Sequence, residues 1–501
     1  MMAKAASDGR AGAQAAYEKK EKCGVVGVWG DPDAVGLCYL GMYAQQHRGQ
    51  ESAGIVVSDG ERITGHTGMG LVPEVFTTRV IQELEQARRG PDDPERQFGR
   101  STGGAIGHNR YSTSGGSFGH NAQPLIERLY DGEVAVAHNG NLVNAEALRE
   151  MFAQAGHLFH TSSDTEVMIH LLAAPEQRKS PDPLAQTLRR LQGAFSVVFM
   201  FADRIEAARD PWGWRPLVLG RLPGGRDCVA SETVALQVMG AEYVREVEPG
   251  EIVTLSDAGV ESRRFAPQAP RLARCVFEHV YFANPASNIF GQNVQIAREA
   301  MGEKLAMERP VEADYVMPMP DSGRSAANGY ARASGIPYKE GIVPNRYVGR
   351  TFIKPTQAER RAAVRLKLNV IGELVKDRRL IVVDDSVVRG TTTREKMKQI
   401  REAGASEIHL RISCPPIENP CYFGVDFATK EQLIAHEKSV EEIRKFLGVD
   451  SLHFLSLDGL LSVMKHEPSE YCTACFSGEY RIDVETPTTE QVVYKEQLGM
   501  F

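Results

Sequence analysis

Leu380-Ile-Val-Val-Asp384-Asp385-Ser386-Val-Val-Arg389-Gly390-Thr391-Thr392-Thr393 is the stretch on which the reading of the fold turns. Its apolar opening predicts a buried strand over 380–383. Two carboxylates end that strand, and a loop rich in Gly and hydroxyls follows. A helix is expected from about 393 to 403, with Gly404 at its end. Such a loop builds an anion site, because first-turn N–H groups of a helix lack partners and carry partial positive charge. Gly390 lets the backbone come close to the anion, and Thr391, Thr392 and Thr393 add hydroxyl donors. Asp384 and Asp385, at the carboxyl edge of the strand, suit ribose hydroxyls or a hydrated Mg²⁺. An acidic pair ends many strands and a Thr caps many helices. The information lies in the whole string.

Working outward, a second loop, Met319-Pro-Asp321-Ser322-Gly323-Arg324-Ser325, joins a predicted strand at 315–319 to a predicted helix at 324–334, with Gly335 as its C-terminal cap. A further strand is expected at 407–412. Strand, loop, helix, strand is the pattern of a parallel doubly wound sheet. Together the two loops resemble the phosphoribosyl pyrophosphate (PRPP) and pyrophosphate loops of type I phosphoribosyltransferases. The resemblance implies PRPP contacts from Asp321, Ser322, Gly323, Asp384, Asp385, Ser386, Arg389, Gly390, Thr391 and Thr392. It also implies one Mg²⁺ per subunit near Ser322, Asp384 and Asp385. Between the loops, Asn345-Arg346-Tyr347-Val348-Gly349-Arg350-Thr351-Phe352 resembles that family's flap, with Arg346, Arg350 and Lys354 meeting pyrophosphate. The family usually has Lys before the Asn-Arg pair, where this chain has Pro344.

Upstream, the stretch Pro267 to Pro270 reads as a linker, and before it the pattern is different. Short β-type runs at 52–57, 104–107, 134–138 and 195–201 alternate irregularly with helical stretches at 144–155 and 164–172, which predicts a layered α+β domain. Cys23-Gly-Val-Val-Gly-Val-Trp29 reads as a buried strand behind a small, charged leader of residues 1–22. A thiol needs a base to attack at neutral pH. Cutting the chain before Cys23 would supply one, because an α-amine titrates near ~8.

The stretches Gln45-Gln-His47-Arg48-Gly-Gln-Glu-Ser-Ala-Gly54, His108-Asn-Arg110-Tyr-Ser-Thr113, His138-Asn139-Gly140-Asn141 and Ser162-Ser-Asp164-Thr-Glu166 resemble glutamine amidotransferases of the N-terminal nucleophile type. With them the resemblance extends over nearly the whole chain, to the amidophosphoribosyltransferase family and its subgroup with a propeptide and an iron–sulfur cluster. It implies an αββα glutaminase domain at 23–265, a type I phosphoribosyltransferase domain at 271–465 and a tail at 466–501. Cys23 would be the nucleophile. Arg110 would hold the glutamine carboxylate and Asp164 its ammonium, while Asn139 and Gly140 would stabilise the oxyanion. His47 and His108 read as structural. Ammonia would cross an internal channel to PRPP, in the first dedicated step of de novo purine (IMP) synthesis.

Cys472-Thr-Ala-Cys475 is a CxxC pair, by itself compatible with a redox pair or half of a zinc site. Cys275 and Cys421 resemble the two further ligands of the family, so the resemblance implies one [4Fe–4S] cluster per subunit, structural rather than catalytic. Sequence alone does not separate it from Zn²⁺. Cys414 is a rival ligand to Cys421, and Cys38 and Cys228 read as buried filler.

The 501 residues are 42% hydrophobic and 25% charged, with a net charge of -7. That composition supports two or three soluble domains without disulfide staples. Nothing suggests nucleic acid as a partner. The absence of a long apolar run or a secretory leader predicts a cytoplasmic chain without a membrane span. The family suggests a homotetramer with purine nucleotides as inhibitors. Two other readings remain open: a glutamine-dependent enzyme with a different acceptor, and a non-catalytic PRPP or nucleotide sensor.

Overall fold

The computed structural model describes residues 23–90, 103–111, 119–345, 368–425, 427 and 429–484. The leader, the flap residues Arg346, Arg350 and Lys354, and residues 485–501 of the tail lie outside the described residues.

Strand Gly24–Trp29 is buried at every position and lies inside a seven-stranded antiparallel sheet, between Gly104–Arg110 and Asp227–Ala230. Its unbroken apolar run fits a strand covered on both faces. On one face Val25, Ile106, Val198 and Ala207 share a core with a second, six-stranded antiparallel sheet. On the other, Val26 and Val28 pack with Cys38 and Met42 of helix Ala34–Ala44. The second sheet packs its outer residues Phe195 and Val197 against Leu148, Leu171 and Leu188 of three helices. The layers therefore run helix, sheet, sheet, helix.

Two strands run further than the sequence suggests, at Gly104–Arg110 and Gly132–Leu142. In the second, Asn139-Gly140 has the composition of a hairpin turn. Pairing overrides it: Asn139 lies opposite Ser196 and Gly140 opposite Phe195. A Cβ on Gly140 would come within 1.9 Å of the Ala194 carbonyl oxygen, so only glycine allows the strands this close.

The Pro-rich connection exposes Pro267, Gln268 and Pro270 but is anchored through its alanines. Ala269 N–H donates to Pro211 O and Ala273 N–H to Trp212 O, both at 2.9 Å, and both alanines are buried. Beyond it, four parallel strands lie in the order Tyr315–Pro318, Arg379–Asp384, Glu407–Ile412, Ser451–Phe454. The last strand, Ser451-Leu-His-Phe454, alternates polar and apolar residues over only four positions, too short a run to mark a strand in the sequence. Helix Thr391–Glu402 starts earlier than expected, so Thr391 and Thr392 form its first turn behind Gly390, whose φ is 72°. Strands Arg274–Cys275 and Tyr471–Cys472 form a short parallel pair that ties the end of the chain to the start of the second half.

Candidate functional site

Cys23 stands at the head of strand Gly24–Trp29. Its thiol is buried and donates to the Tyr111 carbonyl at 3.7 Å. Burial pushes it up to about 11, and the Arg110 charge only partly opposes this. The sulfur therefore carries its proton at neutral pH, and attack requires a base. Asp164 and Glu51 are the other charges that bear on it. Arg110 ends its strand with Nη1 3.8 Å from Glu51 Oε1. Asp164 Oδ2 accepts from Leu142 N–H at 3.0 Å, and Oδ1 is 3.5 Å from His138 Nδ1. Burial raises this carboxyl, but His138, the Leu142 N–H and Arg110 outweigh it and hold the group below its ordinary value. Asp164 is thus a buried anion joined to the end of the strand that carries Asn139 and Gly140.

Asn139 is buried, and its Nδ2 has no hydrogen-bond partner among the described residues. A buried donor left unpaired costs about 1–3 kcal/mol, so such a group is usually kept for a task. His108 Nε2 lies 3.0 Å from the His138 carbonyl, and burial pushes the ring down to about 3, which keeps it neutral. His47 Nε2 is 2.7 Å from Glu232 Oε1. Both contacts are structural ones.

In the second half the two phosphate-type loops meet. Ser322 Oγ donates to Asp385 Oδ1 at 2.6 Å. Asp385 N–H donates to Asp384 Oδ1 at 2.9 Å, and Ser386 Oγ donates to Asp385 Oδ2. Both carboxylates are buried. A Cβ on Gly323 would reach within 2.2 Å of the Val383 carbonyl oxygen, so glycine seats this loop on the central strand. Arg389 Nη2 donates to Gln432 Oε1. Asp321 is exposed and ion-paired with Arg324 at 2.6 Å.

Cys275, Cys421, Cys472 and Cys475 also come together. Each is pushed up first by burial, and the ionised forms of the others raise Cys472 and Cys475 further. Backbone N–H groups bear on three of the sulfurs: Phe277 and Glu278 on Cys275, Phe423 and Val425 on Cys421, and Ala474 on Cys472. The Phe423 N–H donates to Cys421 Sγ at 3.4 Å. The Trp214 indole N–H, which lacks a partner at full hydrogen-bond geometry, favours the Cys472 thiolate. Among the described residues, no group of three or more His, Cys, Asp or Glu side chains is placed to hold a metal ion. Cys38, Cys228 and Cys414 are fully buried.

One feature escaped the sequence altogether. Arg48 donates to Glu232 Oε1, and its Nη2 donates to Glu278 Oε2 at 2.6 Å. Arg215 Nη1 donates to Glu278 Oε1 at 2.9 Å. All four side chains are fully buried, and they join residues 184 and 230 positions apart. The only local signal was an Arg in the apolar text Trp212-Gly-Trp214-Arg215-Pro.

This geometry agrees with what the chain is similar to. A family profile described as glutamine amidotransferase domain matches residues 108–238. The amidophosphoribosyltransferase of Bacillus subtilis is 46% identical over 469 residues, 93% of this chain and 95% of that one. That of Methanothermobacter thermautotrophicus is also 46% identical, covering 92% and 95%. The chloroplastic amidophosphoribosyltransferase 1 of Arabidopsis thaliana is 46% identical, covering 92% of this chain and 79% of its own. A solved structure of the B. subtilis glutamine PRPP amidotransferase complexed with ADP and GMP superposes with a TM-score of 0.83 at 45% identity, covering 93% of this chain and 99% of that one. With a glutaminase-type half and a parallel-sheet phosphate-binding half matched along nearly its full length, this chain belongs to the amidophosphoribosyltransferase family.

Proposed function

We infer that this chain hydrolyses glutamine at Cys23 and passes the ammonia to PRPP, giving 5-phosphoribosylamine, glutamate and pyrophosphate, the first dedicated step of de novo purine (IMP) synthesis. The observation that carries this reading is the convergence of Cys23, Arg110 and Asp164 beside the strand holding the unpartnered amide of Asn139. Removal of residues 1–22 frees the α-amine of Cys23, which takes the thiol proton. Arg110 grips the α-carboxylate of glutamine and Asp164 its ammonium. The sulfur adds to the carboxamide carbon, and Asn139 Nδ2 and Gly140 N–H receive the oxyanion. The C–N bond breaks, ammonia leaves with the proton held by the amine, and water releases glutamate from the γ-glutamyl thioester. Ammonia then crosses inside the protein to C1 of PRPP, held by Asp384, Asp385 and the helix behind Gly390, while Ser322 and Gly323 receive the pyrophosphate.

The oxygens of Ser322, Asp384 and Asp385 suit one Mg²⁺, a hard cation that keeps several waters and takes few protein oxygens. When bound it would neutralise charge on the departing pyrophosphate. Arg346, Arg350 and Lys354 would close over PRPP. Cys275, Cys421, Cys472 and Cys475, near enough to bear on one another's charge, suit one [4Fe–4S] cluster. The Arg215 charge beside Cys275 and Cys421, and the backbone N–H groups around three of the sulfurs, favour thiolates, the form in which cysteines ligate iron. On this reading the chain is of the subgroup with a propeptide and cluster. Purine nucleotides such as ADP and GMP would inhibit a cytoplasmic homotetramer.

A chain that only sensed PRPP would have no use for the amide site. The test is glutamine hydrolysis with and without PRPP, following glutamate and pyrophosphate together. Equimolar release, with glutaminase strongly stimulated by PRPP, is expected. Glutamate without pyrophosphate would mean a different acceptor, and neither product would mean a sensor.

A further inference from the structure

The loop that follows Cys421 lies directly on the oxyanion strand of the other half. The Phe423 carbonyl accepts from Arg215 Nε at 3.1 Å and Nη2 at 2.6 Å. The Tyr422 carbonyl accepts from Asn141 Nδ2 at 2.9 Å. Gly424, at φ +98°, approaches so closely that a Cβ there would stand 3.0 Å from the Gly140 carbonyl carbon and 3.3 Å from its Cα. The Phe423 ring stacks on Trp214 at 4.4 Å. Arg215 is itself fixed, through Nη1 to Glu278 at 2.9 Å and through its own carbonyl, which accepts from Ser196 Oγ at 3.2 Å. Ser196 is the cross-strand partner of Asn139. Arg215 thus touches both sides of the oxyanion strand: Asn139 through its sheet neighbour, and Gly140 through the loop that covers it.

We propose that Arg215 and Gly424 are positioning residues for the oxyanion donors, so that docking of the 422–424 loop from the phosphoribosyltransferase half sets the rate of glutamine attack. Oxyanion donors act only when aimed within a few tenths of an ångström at the developing charge. Asn139 and Gly140 sit near the end of a long strand, and the loop presses on them from outside their own sheet. The loop's contacts fall on Arg215, Asn141, Trp214 and Gly140, whereas glutamine grip comes from Arg110 and Asp164, so the effect falls on turnover and not on binding. The proposal rests on the glutaminase reading above.

Two variants of the processed chain test it: Arg215→Lys, which keeps the charge beside Glu278 but cannot offer two N–H groups to Phe423 O, and Gly424→Ala, which pushes a methyl against Gly140. Each is compared with the parent for glutamine-dependent synthesis, ammonia-dependent synthesis, and alkylation of Cys23 by iodoacetamide, a reaction with no oxyanion. The expected result is a kcat for glutamine lowered about tenfold or more. The KM for glutamine, the ammonia-dependent rate and the alkylation rate should stay within about twofold. An unchanged kcat in both variants overturns the proposal. So does an equal loss of glutamine- and ammonia-dependent rates, which would make these residues general supports of the domain contact. If the parent itself consumed no glutamine, the fault would lie with the glutaminase reading instead.

Discussion

Ser322 Oγ donates a 2.6 Å hydrogen bond to Asp385 Oδ1, joining two strand–helix loops 63 residues apart into one site. Neither loop alone distinguishes a PRPP site from an ordinary strand end. A hydrogen bond to a charged group contributes about 1.5–3 kcal/mol, or roughly ten- to a hundredfold in binding. Ser322→Ala is therefore expected to weaken PRPP use by that order in both glutamine- and ammonia-dependent assays. Basal glutamine hydrolysis without PRPP should hold. A PRPP KM equal to the parent's would show that the contact is only structural.

Asn139→Ala removes the unpartnered amide from the wall of the glutamine site. Loss of one oxyanion donor lowers turnover by about 10²–10³. Steady-state glutaminase kinetics should show that loss in kcat, with ammonia-dependent synthesis within about twofold of the parent. Because its Nδ2 has no partner to abandon, the loss of that N–H should not lower thermal stability.

For Cys23 the sign of the pH effect follows from burial, which pushes the thiol up to about 11 while residue 22 is still attached. At pH 7 only about one sulfur in 10⁴ would be ionised. A chain whose leader is retained should resist iodoacetamide and hydrolyse no glutamine at pH 7, with thiolate absorbance appearing only as pH rises through about 11. The folded value lies above the unfolded one of about 8.5, so the stability contributed by this group is full below about 8.5 and is lost as pH climbs towards the folded value. Rapid alkylation of the leader-bearing chain at pH 7 would refute the need for a freed amine.

Anaerobically purified protein should hold iron and acid-labile sulfide in equal amounts and no stoichiometric zinc. Cys472→Ser should lose both and loosen the short strand pair that Cys472 forms with Cys275. Metal analysis decides this without reference to activity. Zinc in place of iron would overturn the cluster.

Glu278 takes charge-assisted hydrogen bonds from Arg48 at 2.6 Å and Arg215 at 2.9 Å, with all three side chains fully buried. Glu278→Gln leaves two buried guanidinium groups undercompensated, and breaking such a pair typically costs about 3–5 kcal/mol. Denaturant unfolding should show a loss of that order. An unchanged midpoint would mean that water takes the place of the lost charge.

Much of this protein is readable in its sequence. The run from Leu380 to Thr393 carries its meaning locally, because strand, acidic end, glycine and helix start are consecutive along the chain. The residues around Cys23, Arg110, Asn139 and Asp164 were legible only as separate short stretches that resemble a known family. Their convergence depends on two sheets packing face to face. The extension of strand Gly132–Leu142 through Asn139-Gly140 ran against local turn chemistry, because pairing with Phe195 and Ser196 outweighs a two-residue preference.

From sequence came the strands, helices and phosphate loops whose signals are local, such as the run from Leu380 to Thr393, since those depend on neighbours a few positions away. Only the tertiary structure decided that Arg48, Glu232, Glu278 and Arg215 form one buried network, that Ser322 meets Asp385, and that Gly424 rests on Gly140. These contacts join residues far apart in the chain. They exist because burying the apolar faces of both halves leaves the charged and glycine positions no other place to go, and no local pattern records that.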